Sequence, residues 1–184
     1  GDQAALSRGL AACDRVLAAN PNDAEALVWH GSGTFFLAGQ SFRAGDIEKG
    51  RRLSAQGLGE MDRAVALAPE SVAVRIPRGA TLLTAARHLP PDQARLLREK
   101  AVTDYEAALA RQGATLDNRS QHSRGELLSG LAELYLRLGQ PEKAAVPLER
   151  LVTGYAGEPY AARARQWKAS GEPKDASCIG CHVQ

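Results

Sequence analysis

Aromatic side chains are scarce in this chain, at 5% of 184 residues. That shortage disfavours a sheet, whose strands lean on aromatic and β-branched residues. An excess of one charge is also missing. Lys and Arg number 23 against 21 Asp and Glu, a net of +2 that gives no field for a nucleic-acid or membrane-surface partner. No apolar run reaches the roughly 20 residues needed to cross a bilayer, so no membrane insertion is expected. The opening "GDQAALSRGL" has neither the basic start nor the apolar stretch of a secretory leader. Three cysteines are an odd count, which argues against a closed disulfide framework. Nor is there a Ser–His–Asp pattern, a Gly-rich phosphate loop or a dense acid pair, so an enzyme is not expected.

What the chain does have is alanine and leucine, within a hydrophobic share of 44%. That composition suits helices packed through small residues, and the length suits one domain with its own core. The strongest organising signal is self-similarity. "CDRVLAANP" from Cys13 matches "MDRAVALAP" from Met61, then "YEAALARQG" from Tyr105 and "LERLVTGYA" from Leu148. Each opens on an apolar or soft residue, and Pro or Gly closes it eight or nine residues on, as a helix stop would. The stretches before them also align: "WHGSGTFF", "IPRGATLL" and "LSGLAELY" each place a small residue four after an apolar one. Those small residues are Gly33, Ala80 and Ala132, where two helices are expected to approach closely.

These paired segments resemble the tetratricopeptide repeat over most of residues 3–169, most clearly in "LAELYLRLGQPEKAAVPLERL". The second segments start at residues 13, 61, 105 and 148, so the repeats are longer than the family's usual length of about 34. The resemblance implies an all-α fold of about three helical hairpins plus a capping helix, stacked neighbour on neighbour around a concave groove. The periodicity predicts helices over 3–19, 24–39, 45–67, 71–88, 91–111, 123–138 and 141–154, with the cap near 158–169. Asp23, Asp46 and Pro91 serve as start signals, and Gly139-Gln140-Pro141 as a turn. "GATLDNRSQHSR" reads as a polar surface loop. The domain boundary falls after residue 169, where "GEPKDAS" leads from the repeat domain (1–169) into an irregular tail (170–184).

The tail ends in "SCIGCHVQ", a Cys-x-x-Cys-His motif formed by Cys178, Cys181 and His182. That spacing lets two thioether bonds hold a haem c by its vinyl groups while the adjacent histidine ligates iron. Two other readings stay open beside it. A redox disulfide wants a cysteine at a helix start within a βαβ pattern, and zinc wants four ligands. The motif resembles that of c-type cytochromes, although the common small type supplies a methionine ligand later in the chain. No residue after His182 offers one. The late position resembles that in cytochromes c′, but "SGEPKDAS" does not continue a helix into the motif.

Candidates for a sixth iron ligand are His30, Met61, His88 and His122. Met61 takes the slot of Cys13, Tyr105 and Leu148, which marks it and Cys13 as core positions. His30 is the favoured distal ligand: it follows Trp29 and aligns with Pro77 and Ser129, facing the groove in the tetratricopeptide resemblance. A count from Pro21 turns it instead toward a helix interface. Trp29, Phe35, Phe36, Phe42 and Trp167 could wall a haem or simply fill the core. Arg163, Arg165, Lys168 and Lys174 could pair with propionates or lie on a solvated cap.

The expectation is a monohaem c-type cytochrome on a helical-repeat scaffold, passing electrons to a redox or scaffold protein. By resemblance it is periplasmic or otherwise exported, since haem attachment to such motifs takes place there. A tail that reached a second copy would make a haem-bridged homodimer. The alternatives are a haem-based sensor with an open sixth site and a repeat scaffold with a metal or redox tail.

Overall fold

The computed structural model describes residues 2–113, 115–118, 120–155 and 159–174. Among them the chain is all-α: α1 (Gln3–Ala19), α2 (Ala24–Arg43), α3 (Ile47–Leu67), α4 (Val72–Ala86), α5 (Pro91–Gln112), α6 (Gln121–Arg137), α7 (Pro141–Gly154) and α8 (Pro159–Ser170). The starts are chemically specified. The Ala26 N–H donates to Asp23 Oδ1 at 2.9 Å and the Lys49 N–H to Asp46 Oδ1 at 3.1 Å, which satisfies donors that a helix start leaves over. Pro91 and Pro141 sit in the first turn, where a missing N–H costs nothing.

Two of the differences from the sequence expectation bear on packing. Helix α2 runs past Gly39 to Arg43 and stops at Gly45, whose φ of 81° is the left-handed conformation glycine tolerates. The added turn carries Phe42 onto α3, where a Cβ on Gly50 would lie 2.5 Å from the ring. The expected loop over 113–124 is also shorter. Leu116, in a single 3₁₀ turn (Leu116–Asn118), is 1% exposed, and α6 begins at Gln121. One apolar side chain pins what the polar composition had suggested was a free surface segment.

By internal packing the chain divides into two compact units, Gly1–Thr81 and Leu82–Gln184, with the division inside α4. In the first unit α2 packs on α1 and, most extensively, on α3. The cause is a pair of glycines. A Cβ on Gly31 would lie 2.7 Å from Gly57 O, and one on Gly57 would lie 2.6 Å from Gly31 O. The backbones touch there, and Met61 and Val28 close the core beside them at 0% exposure. Gly33 does meet α1, through the Leu10 side chain. Helix α1, however, contributes no buried residue, and Cys13 on it is half-buried rather than a core thiol.

In the second unit α6 is the centre, packed against α5, α7 and α8, with Leu127 through Tyr135 all buried. Rings lie on its glycines: Tyr105 on Gly130, and Tyr160 on Gly125 at 2.6 Å from a would-be Cβ. Ala132 is fully buried as expected, whereas Ala80 on α4 is exposed and marks no close approach.

Candidate functional site

Cys178, Cys181 and His182 lie outside the described residues, so the site is built from the segment that leads to them. That segment is held in place. Helix α8 ends at Gly171 (φ 71°), whose N–H donates to Trp167 O at 2.9 Å. The Ser170 hydroxyl donates to Glu172 O at 2.9 Å and accepts from the Glu172 N–H at 3.1 Å. Trp167, 1% exposed, donates its indole N–H to Lys174 O at 2.7 Å, and Arg137 donates to Pro173 O at 3.2 Å. Residues 170–174, expected as a linker, are therefore a hydrogen-bonded turn against the ends of α6 and α8.

At that anchor stands a cluster of three arginines and one carboxylate. Glu133 of α6 is 1% exposed. Arg87 donates from Nε to Glu133 Oε1 at 2.8 Å and from Nη2 to Oε2 at 2.5 Å, the paired geometry suited to a carboxylate. Arg137 donates from Nε to Oε1 at 2.8 Å. Arg98 of α5 donates from Nη2 to Ala86 O at 3.3 Å, while its Nε is buried without a hydrogen-bond partner. Burial works to lower the Arg87 pKa, but the hydrogen bonds and charge of Glu133 outweigh it and leave it raised. Arg98 has no such partner: burial, then the like charge of Arg137, pushes it down.

Arg163 lies over the Trp167 ring at 5.6 Å from its centre, which places it beside the anchor as the sequence order suggested. Lys168 pairs with Glu149 at 2.5 Å and Lys174 with Glu172 at 3.3 Å, both on the surface, and Arg165 is exposed.

His30 sits at the helix interface, the second of its two sequence registers. Its Nδ1 lies 2.7 Å from Glu60 Oε2 on α3 and its Nε2 lies 3.3 Å from Asp14 Oδ1 on α1. To bind iron the ring must release one of these carboxylates. Met61 is fully buried, with its sulfur 3.5 Å from the Ser32 hydroxyl. His122 is exposed in the first turn of α6, with Nδ1 3.1 Å from the Tyr160 hydroxyl, which donates to Glu126 at 2.8 Å. His88 is exposed just beyond α4.

The rings divide sharply. Trp167 is core, but Trp29, Phe36 and Phe42 are 57%, 49% and 39% exposed. Among the described residues no group of three or more His, Cys, Asp and Glu side chains is placed to hold a metal ion. The carboxylates around His30 meet opposite edges of its ring instead of converging on one point. No described helix is long and apolar enough to cross a membrane.

Two features had little sequence signal. Glu133 and Arg137 stand at i,i+4 spacing, whereas Arg87 is 46 residues from Glu133 and no local pattern links them. An open groove of about 400 Å³ runs between α5, α6 and α7, floored by Leu128 and Leu131 and rimmed by Glu142, Lys143 and Arg150. Comparison with protein-family models, with curated proteins and with solved structures finds no match to this chain.

Proposed function

We propose that this chain is an exported, monohaem c-type cytochrome in which a tetratricopeptide-like helical scaffold presents a haem-bearing tail to a redox protein partner. The observation that carries the reading is the Cys178-Ile179-Gly180-Cys181-His182 sequence, set four residues after the anchored Lys174. Two thiols and an imidazole are the donor set that covalent haem attachment needs. A haem held so would supply one-electron chemistry at its iron, and the chain's own part is to fix where it sits. The guanidinium excess at the anchor suits a group that carries two carboxylates. The repeat reading draws on Met61, Tyr105 and Leu148, which are equivalent in sequence and are 0%, 5% and 3% exposed on α3, α5 and α7.

A second reading, a sensor with an open sixth position, gains from the engagement of both His30 nitrogens and the burial of Met61. One experiment separates the two. Visible spectra of protein matured in the periplasm, oxidised and then reduced with dithionite, would show sharp low-spin bands for electron transfer. A broad high-spin ferrous spectrum would favour the sensor. Absence of a Soret band would remove both and leave a scaffold with a metal or disulfide tail.

A further inference from the structure

Helix α2 carries a seam that its own unit leaves open. Glu25, Trp29, Ser32, Phe36, Gly39 and Arg43 follow one another at alternating spacings of four and three. That is the rhythm by which one helix packs along another. Helix α1 reaches α2 on a neighbouring stripe, where Leu10 meets Gly33 and Gln3 accepts from Gln40, and α3 takes another side at Gly31. Neither covers the seam. Trp29 and Phe36 are 57% and 49% exposed, and Glu25 and Arg43 stand exposed at its ends. Their aligned counterparts on α6, Leu128 for Trp29 and Tyr135 for Phe36, are 3% and 8% exposed. Positions that α6 buries are therefore bare on α2, and a pair of large rings on one stripe marks a surface for a partner.

What fits this seam is a second copy of itself. It runs from acidic through aromatic to basic, with a small residue after each ring. Turned end for end about the level of Thr34, a second α2 brings Arg43 against Glu25, Gly39 against Trp29 and Phe36 against Ser32. Each ring then faces a small residue. The space over Gly39 is open, since a Cβ there would meet only Arg43 Nη1, at 3.6 Å. The Ser32 hydroxyl is engaged by the fold, donating to Met61 Sδ at 3.5 Å and accepting from the Thr81 hydroxyl at 3.0 Å. Among the described residues neither Glu25 nor Arg43 has a salt-bridge partner. Their signs suit the helix dipole, but that does not account for two bare rings between them.

We infer that α2 is a homodimer interface in which two copies pair this seam antiparallel about a two-fold axis. Trp29 lies over the partner's Gly39, Phe36 over the partner's Ser32, and Glu25 against the partner's Arg43. The axis makes each contact twice. Four half-exposed rings bury on the order of 400 Å². That places the interface in the small class, under about 1,200 Å², and the dimer in the micromolar range. The inference stands apart from the haem reading, because no residue of the tail takes part.

The test is sedimentation velocity of the full chain, with a reductant present so that no disulfide joins two copies, from low micromolar to submillimolar concentration. Wild type should pass reversibly from monomer to dimer. Glu25→Arg and Arg43→Glu each set like charges at both ends of the seam and should weaken the dimer about tenfold. The double variant Glu25→Arg/Arg43→Glu pairs them again and should return to within about threefold of wild type. Trp29→Ala should leave only monomer, and it reports even if a charge variant fails to fold, which circular dichroism checks. A wild type that stays monomeric throughout would overturn the proposal and leave the face to a different protein. A dimer indifferent to Trp29→Ala would overturn it too, having formed through another surface. A folded double variant no tighter than the single ones would rule out the antiparallel pairing.

Discussion

His30 Nδ1 and Glu60 Oε2 meet at 2.7 Å across the α2–α3 interface, thirty residues apart in sequence. The contact closes a helix pair whose backbones already touch at Gly31 and Gly57. It also draws a histidine that looked available for iron into a structural role within the first unit.

Replacing His30 with alanine strips Glu60 of this partner in a half-buried setting. Unfolding in urea should report a loss of about 1–2 kcal/mol, the usual cost of a part-buried hydrogen bond to a charged group. The visible spectrum of haem-loaded protein should be unchanged. Conversion from low-spin to high-spin iron in this variant would instead identify His30 as the sixth ligand.

The glycine pair predicts opposite signs for two similar substitutions on α3. Gly57→Ala puts a methyl 2.6 Å from Gly31 O and 2.8 Å from Phe35 N, backbone atoms that cannot step aside, and should cost about 2 kcal/mol or more. Gly59→Ala has open space around it and should gain up to about 1 kcal/mol from helix propensity. Denaturation midpoints of the two variants, measured side by side, check the pair.

Glu133→Gln should destabilise the second unit by about 3 kcal/mol, because it leaves Arg87 and Arg137 facing each other without their shared countercharge. Thermal unfolding of the variant Cys178→Ala/Cys181→Ala, which has no thiols for haem attachment, carrying the same change isolates this effect from any covalent haem.

High pH should weaken the fold through Tyr105. Burial, then the charge of Glu126, raises its pKa well above the ordinary tyrosine value. A phenol whose folded pKa is raised adds no pH-dependent penalty below its unfolded pKa of about 10 and loses stability as pH climbs beyond it. The melting temperature should therefore fall above about pH 10. Tyr105→Phe should flatten that fall while Tyr135, raised by its own burial and its bond to Glu106, retains part of it.

Trp167→Phe keeps a ring in the core but removes the indole donor to Lys174 O. Trypsin should then cut after Lys174 several-fold faster than in wild type, with a stability loss of about 1 kcal/mol. An unchanged cleavage rate would mean that the Arg137 bond to Pro173 O holds the turn alone.

The helices were legible from residues alone because their signals are local. Asp23 and Asp46 cap the turns that follow them, Pro91 opens α5, and the apolar periodicity of each segment survives into its buried face. Met61 was readable as core by its place in the repeat. The Cys178, Cys181 and His182 spacing suggested a haem site without reference to any fold, and that reading stands as a proposal. Tertiary structure alone decided the rest. Which of two registers His30 occupies depends on Glu60 and Asp14 arriving from other helices. The close approach fell at Gly31 and Gly57, and not at Ala80, because backbone contact depends on how two helix faces are rotated against each other. The joining of Arg87 to Glu133 and of Arg137 to Pro173 links residues 46 and 36 apart, and no local rule reaches over such distances.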